Sequence, residues 1–137
     1  KSENPKVPKC PPEKEAAMSA AKYHLDHLCA IVDVNGLQID GSTADVMPSE
    51  PLDKKFDAFN WNVLHVDGHD YAAIAAALEQ AAACKDKPTV ILARTIKGKG
   101  VSYMENNAGW HGKAPNDEQY EIAKAELERA LAELEAN

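Results

Sequence analysis

The sequence has little cysteine and no excess of positive charge. Its three cysteines, Cys10, Cys29 and Cys84, have unrelated spacings and form no Cys-x-x-Cys pair, so neither a disulfide framework nor a zinc knuckle is predicted. Acidic residues outnumber lysine and arginine, 22 to 15, and the net charge is −7. Because nucleic acids are bound through clustered cations that neutralise phosphates, no nucleic-acid partner is expected.

Long apolar runs are also lacking. No stretch approaches the roughly 20 apolar residues of a membrane-spanning helix, and residues 1–12 mix lysine with proline where a signal peptide would carry an apolar segment. We therefore expect no membrane partner. Unpaired thiols are typical of proteins in a reducing compartment, so a cytoplasmic location is expected.

The chain divides into a short arm and one domain. Residues 1–12 carry four prolines and little apolar content, which predicts an extended or disordered arm. With 45% hydrophobic and 27% charged residues in the whole sequence, residues 13–137 are predicted to form a single α/β domain.

Within that domain, strand-like and helix-like patterns alternate. Three short apolar runs predict strands, at 28–34, 63–66 and 89–94. The first, rich in β-branched residues, is expected to be buried on both faces, and the third is expected to be a buried strand as well. Helical spacing predicts four helices, at 13–27, within 48–59, at 69–84 and at 116–134. The pattern therefore predicts an α/β fold with a partial doubly wound parallel sheet of about three strands, flanked by helices.

Several side chains receive structural roles from the same pattern. Asp70 is expected to cap the helix at 69–84, and Cys29 and Cys84 are expected to be small core residues. The short helix within 48–59 is expected to turn its apolar side chains inward, namely Leu52, Phe56 and Phe59.

Ligands of open α/β sheets bind at the carboxyl ends of the strands, so the loops that follow the strands are the informative segments. Residues 33–41 read DVNGLQIDG, residues 95–100 read TIKGKG, and residues 106–112 read NNAGWHG. Together with EAAMSAAKYHLDHL and VDGHD, these segments resemble transketolase, in particular the short N-terminal subunit of the split type. The resemblance covers about residues 15 to 130 and corresponds to the second half of the thiamine diphosphate (TPP)-binding domain, so we expect a truncated form.

The resemblance implies a role for four residues. The Asn35 side chain and the Leu37 carbonyl match ligands of the divalent metal ion, Mg²⁺ or Ca²⁺, that holds the cofactor diphosphate. Lys97 matches a lysine near the cofactor. His111 matches a histidine that touches the diphosphate or the substrate, which makes it the expected catalytic residue as well as a cofactor-binding one.

One part of the family pattern is absent from the sequence. In the family, the helix carrying EAAM follows a strand that ends in Gly-Asp-Gly, whose aspartate is the main charged metal ligand, whereas residues 6–13 here read KVPKCPPE. The glutamate that protonates the cofactor ring belongs to a separate domain. We therefore expect a truncated transketolase-like protein, ancestrally a transferase of ketol groups between sugar phosphates, that is competent only beside complementing transketolase chains.

A second hypothesis for the whole chain stays open. The protein could be a TPP-independent, self-associating scaffold, or could have a newly acquired activity such as hydrolysis, although no Gly-x-Ser-x-Gly elbow is present. Removing half of a sheet exposes the edge of the strand at 30–34 and the apolar faces of helices. A homo-oligomer would cover those surfaces.

Single residues also keep alternative interpretations. His24 and His27 have a spacing that suits a metal ion but is commoner on a solvated helix face. Asp67 and Asp70, beside His65 and His69, suit caps of backbone N–H groups. The Asn35-Gly36 pair would form a turn in any protein, and His111 could pack against Trp110 on the surface.

Overall fold

The computed structural model describes residues 12–136, with side chains from residue 14 onward, and contains five strands and five α-helices. The strands are β1 Cys29–Val34, β2 Leu37–Gln38, β3 Gly41–Ser42, β4 Asn62–Asp67 and β5 Thr89–Arg94. The helices are α1 Pro12–Lys22, α2 Thr43–Val46, α3 Leu52–Ala58, α4 Tyr71–Ala83 and α5 Asp117–Glu135, with a 3₁₀ turn at Ala108–Trp110. The predicted arm lies outside the described residues except for Pro12, where α1 begins.

The core of the fold is a parallel sheet of three strands in the order β1-β5-β4. The central strand β5 is buried from Thr89 to Ala93, because neighbours on both sides pair with its backbone and helices cover its apolar side chains. The predicted α/β fold with about three parallel strands is confirmed. Among residues 12–136, no helix has the length and apolarity to cross a membrane.

The prediction that β1 is buried on both faces is wrong. Its burial alternates along the strand, and Ile31 is 61% exposed. Ala30, Val32 and Val34 pack against the core cluster, whereas on the other face α4 packs mainly on β4 and β5, and no element among residues 14–136 covers Ile31. For the same reason Cys29 is exposed rather than a core residue.

Helix α1 ends at Lys22, five residues before the predicted end at His27. His24 has a positive φ of 51°, and the backbone N–H of Leu25 donates to the Ala20 carbonyl over 3.1 Å. This is a Schellman-type end, which glycine usually forms. The sequence pattern missed it because a histidine occupies the left-handed position.

The first helix is anchored to the core through Trp61. The indole Nε1–H of Trp61 donates to the Ala17 carbonyl over 2.9 Å, and the Trp61 side chain is buried. The ring also meets Phe56 of α3 edge-on, with centroids 5.3 Å apart. As predicted, the apolar side chains of the short helix pack against this core, namely Leu52, Phe56 and Phe59.

Side-chain caps begin the two longest helices. The Asp70 carboxylate accepts hydrogen bonds from the backbone N–H groups of Ala72 and Ala73, as predicted. Asn116 and Gln119 form a reciprocal capping box at the start of α5. The small β2-β3 hairpin and α2 were not predicted. Strands of two residues and a helix of four residues are too short to show a periodic pattern of apolar residues.

Candidate functional site

All four residues assigned by the resemblance line a single cleft at the carboxyl ends of β1 and β5. This β1-β5 cleft has a volume of about 330 Å³. Its lining residues are Asn35, Leu37, Gln38, Ile39, Lys97, Ala108 and His111. Three separate segments meet here: the turn after β1 with its hairpin, the loop after β5, and the 3₁₀ turn.

Asn35 is held in place by its own turn. Its side-chain Oδ1 accepts a hydrogen bond from the Leu37 backbone N–H over 2.9 Å, while Gly36 takes the left-handed φ of 73° that the turn requires. The Thr43 N–H donates to the Gly36 carbonyl over 2.9 Å and ties the hairpin to the turn. An amide oxygen has two lone pairs, so the fixed Oδ1 retains one for a ligand.

Lys97 lies on a tightly closed loop. The Asn106 N–H donates to the Lys97 carbonyl over 3.0 Å. The next residue, Gly98, has a φ of 72° and approaches the Met104 backbone so closely that a Cβ would lie 2.7 Å from the Met104 carbonyl oxygen. Only glycine fits there, so the backbone at Lys97 is rigidly placed beside the cleft.

His111 follows the 3₁₀ turn, whose start is capped by the Asn107 side chain accepting from the Gly109 N–H over 3.0 Å. The neighbouring Trp110 ring packs on Tyr103, with centroids 5.0 Å apart, and the Tyr103 hydroxyl donates to the Gln119 carbonyl of α5 over 2.8 Å. The His111 side chain itself is exposed. Trp110 therefore makes the packing contact of this turn, whereas the His111 imidazole lines the cleft and has no hydrogen-bond partner among residues 14–136.

The β1-β5 cleft suits phosphate better than a metal ion. Its lining has one lysine and one histidine and no carboxylate, which favours an anion such as a diphosphate. Nowhere in the described part of the chain do three His, Cys, Asp or Glu side chains come together in a group that could hold a metal. The two neutral oxygens predicted as ligands, on Asn35 and Leu37, do not by themselves fit a Mg²⁺ or Ca²⁺ site.

The other predicted histidines are not gathered into a metal site. The His24 ring Nδ1 is 3.0 Å from the Asp86 carbonyl, whereas His27 lies beside Asp26, 3.7 Å away, with 91% of its side chain exposed. The two rings therefore have separate partners on a solvated surface.

His69 has a role that the sequence did not indicate. Its Nε2 accepts a hydrogen bond from the Ile96 backbone N–H over 2.7 Å and so joins the turn after β4 to the loop after β5. The Asp67 carboxylate accepts from the His69 backbone N–H over 2.9 Å, which agrees with the predicted capping role of the aspartates. No local sequence signal identifies the contact between His69 and Ile96.

Comparison with known proteins matches the chain to one family. The family model described as "Transketolase, thiamine diphosphate binding domain" matches residues 11–131. A 6-deoxy-6-sulfo-D-fructose transketolase subunit from Clostridium sp. is 46% identical over 84% of this chain and 42% of its own length. An apulose-4-phosphate transketolase subunit from Phocaeicola vulgatus is 42% identical over 88% of this chain and 43% of its own length.

Solved structures agree with the sequence matches. Transketolase from Campylobacter jejuni superposes with a TM-score of 0.75 at 34% identity, over 82% of this chain and 17% of that protein. The Pichia stipitis enzyme in complex with sedoheptulose 7-phosphate gives a TM-score of 0.75 at 31% identity, over 81% of this chain and 16% of its own. The chain thus spans less than half the length of the curated relatives it matches.

Proposed function

The chain belongs to the transketolase family, within its thiamine diphosphate-binding domain, and we propose that it supplies one wall of the cofactor site of an enzyme that transfers ketol groups between sugar phosphates. The observation that carries the proposal is the β1-β5 cleft. In that cleft Asn35, Lys97 and His111 come from separate segments and line one space.

The chain's own part in the reaction is to position and neutralise. The Lys97 ammonium group attracts the diphosphate, and the His111 imidazole, which has no partner among residues 14–136, is free to donate to a phosphate oxygen or to a substrate hydroxyl. Asn35, held by the Leu37 N–H at 2.9 Å, keeps one oxygen lone pair directed outward. Thiamine diphosphate, when bound, supplies the carbanion-stabilising chemistry of ketol transfer.

Completion of the site by another chain is part of the proposal. The two neutral oxygens of Asn35 and Leu37 need a carboxylate before a divalent cation binds firmly. The two relatives from Clostridium sp. and Phocaeicola vulgatus are named as transketolase subunits. We therefore propose that complementing transketolase chains supply the carboxylate and the cofactor-activating groups.

Calorimetric titration of the purified chain with thiamine diphosphate, with and without Mg²⁺, tests the proposal. Saturable binding that is weakened in His111→Gln and unchanged in His27→Gln is expected, because both changes remove one exposed imidazole but only His111 lines the cleft. Absence of saturable heat at millimolar cofactor, with the chain folded by circular dichroism, would contradict it.

A second candidate function is a cofactor-free, self-associating scaffold. It is favoured by apolar side chains left exposed on β1 and α5, including Ile31 at 61%, Leu131 at 56% and Leu134 at 76%. Sedimentation velocity over a range of concentrations separates the two candidates. A stable oligomer together with no cofactor binding supports the scaffold. A monomer at every concentration would leave these apolar faces exposed and would contradict the scaffold function.

A further inference from the structure

A second cleft lies beside the first, at the carboxyl ends of β4 and β5. This β4-β5 cleft has a volume of about 510 Å³. Its lining residues are His65, Val66, Asp67, His69, Arg94, Thr95, Ile96 and Lys99. Nothing in the assignment of the cofactor site uses these side chains, and the cleft occupies the strand-end position at which open α/β sheets bind ligands.

The charge of the β4-β5 cleft is opposite to that of the whole protein. The chain has a net charge of −7, yet the lining of this cleft has Arg94 and Lys99 against a single carboxylate, that of Asp67. Arg94 also borders a smaller cavity that Glu50 and Asp53 line. The Asp67 Oδ1 already accepts from the His69 backbone N–H over 2.9 Å. The lining of this cleft therefore attracts anions although the net charge of the protein is negative.

Arg94 is the principal donor in this cleft. Its backbone is opposite Asp67 in the register of β4 and β5, but within residues 14–136 its guanidinium forms neither an ion pair nor a side-chain hydrogen bond. A guanidinium at the end of a rigid central strand is placed to bind two oxygens of a phosphate at once.

The neighbouring histidine adds a directed donor. Because the His69 Nε2 accepts from the Ile96 N–H over 2.7 Å, the proton of the neutral ring resides on Nδ1. That Nδ1–H has no acceptor among residues 14–136. The hydrogen bond also fixes the ring against the loop that carries Lys99.

We propose that the β4-β5 cleft binds a phosphate group, either free or as the terminal monoester of a small molecule, through Arg94, Lys99 and His69. This site is separate from the β1-β5 cleft and does not depend on cofactor binding. The two clefts lie on either side of the loop after β5, so a phosphate here sits one strand away from the proposed diphosphate wall.

Titration of the full chain with inorganic phosphate, followed by backbone amide NMR shifts, tests the proposal at constant ionic strength. Saturable shifts are expected at Thr95, Ile96 and Lys99. Arg94→Gln should weaken binding about tenfold or more, since one charge-assisted bidentate contact is lost. Arg129→Gln is the matched control, because it removes the same charge from α5, outside both clefts, and should leave the affinity unchanged.

A parallel titration with glycerol 3-phosphate distinguishes the two sources of the phosphate. Tighter binding of the monoester than of inorganic phosphate identifies a phosphorylated small molecule as the ligand, and the reverse order identifies free phosphate. Shifts that do not saturate, or that fall equally in Arg94→Gln and Arg129→Gln, overturn the proposal. Lys99→Gln repeats the test should Arg94→Gln fail to fold.

Discussion

Lys97 and Lys99 are two residues apart on one loop and line different clefts, Lys97 the β1-β5 cleft and Lys99 the β4-β5 cleft. Between them, Gly98 holds the left-handed turn that sends the two side chains apart. The two lysine side chains of one short loop therefore line two separate clefts, and either lysine can be substituted without changing the lining of the other cleft.

Replacement of Asn35 separates its role in the turn from its role toward a ligand. Asn35→Ala removes the acceptor of the Leu37 N–H and should cost about 1 kcal/mol of unfolding free energy. Asn35→Asp keeps that acceptor and adds the missing charge, so it should strengthen Mg²⁺-dependent binding of thiamine diphosphate. Urea unfolding and calorimetric titration measure the two effects, and weaker Mg²⁺-dependent binding in Asn35→Asp would exclude Asn35 as a metal ligand.

Gly98 and Gly112 form a matched pair for testing the loop. Both have positive φ, but a Cβ at Gly98 meets Met104 at 2.7 Å, whereas a Cβ at Gly112 has nothing within 4 Å. Gly112→Ala should therefore cost only the conformational penalty of about 1 kcal/mol, and Gly98→Ala should cost about 2 to 3 kcal/mol more through the clash. Equal midpoints and slopes of urea unfolding for the two variants would show that the Met104 backbone moves aside at little cost and would contradict the prediction.

Removing the indole N–H of Trp61 should destabilise the fold. Trp61→Phe deletes the donor to the Ala17 carbonyl and leaves a buried space, so a loss of about 2 kcal/mol or more is expected. Trp110→Phe provides the control, because Trp110 is only half-buried and its indole N–H has no partner among residues 14–136. Thermal unfolding followed by circular dichroism compares the two; an equal loss in both would mean that the hydrogen bond contributes little.

Glu126 gives the fold a defined dependence on pH. Hydrogen bonds donated by the Ser102 hydroxyl, over 2.6 Å, and by the Ser102 backbone N–H, over 2.8 Å, hold the pKa of the Glu126 carboxyl below its ordinary value of 4.5. The folded state therefore favours the ionised form. Its contribution to stability is complete above the pKa of the unfolded chain and is lost as the pH falls through the lower folded pKa.

The substitution Glu126→Gln checks this sign. The difference in unfolding free energy between the wild-type chain and Glu126→Gln should be largest near neutral pH and should shrink on acidification through the carboxyl range, about pH 5 to 3. Urea unfolding at a series of pH values measures it. A difference that stays constant over that range would show that Ser102 binds the neutral and charged forms equally.

The strands and most helices could be predicted because their signals are local. The bounds of β5 agree at both ends, since an apolar run from Thr89 onward is buried on both faces. The burial of β1 could not be predicted, because the exposure of Ile31 depends on which other elements cover its face, and in the described part of the chain none does. The end of α1 was missed because His24 adopts a conformation that sequence rules reserve for glycine.

The four residues that the resemblance named all line one cleft, and none of them lines the other. Asn35 and His111 belong to motifs whose spacing is distinctive, and the structure places both beside Lys97. Arg94 and Lys99 look like ordinary surface cations in the sequence. Their convergence depends on the pairing of β4 with β5 and on the hydrogen bond between His69 and Ile96, which are contacts between distant segments.

The fastening of the loop after β5 to helix α5 has a mechanical consequence. Ser102 donates a hydrogen bond to Glu126, and the Tyr103 hydroxyl donates one to the Gln119 carbonyl. The segment that leads to His111 is therefore attached to the helix at two points. The last turns of α5 extend beyond these two hydrogen bonds, and Leu134 in them is 76% exposed. A displacement of α5 is therefore expected to reach the segment that leads to His111, and a fluorophore attached to this helix is expected to respond to ligand binding in the cleft.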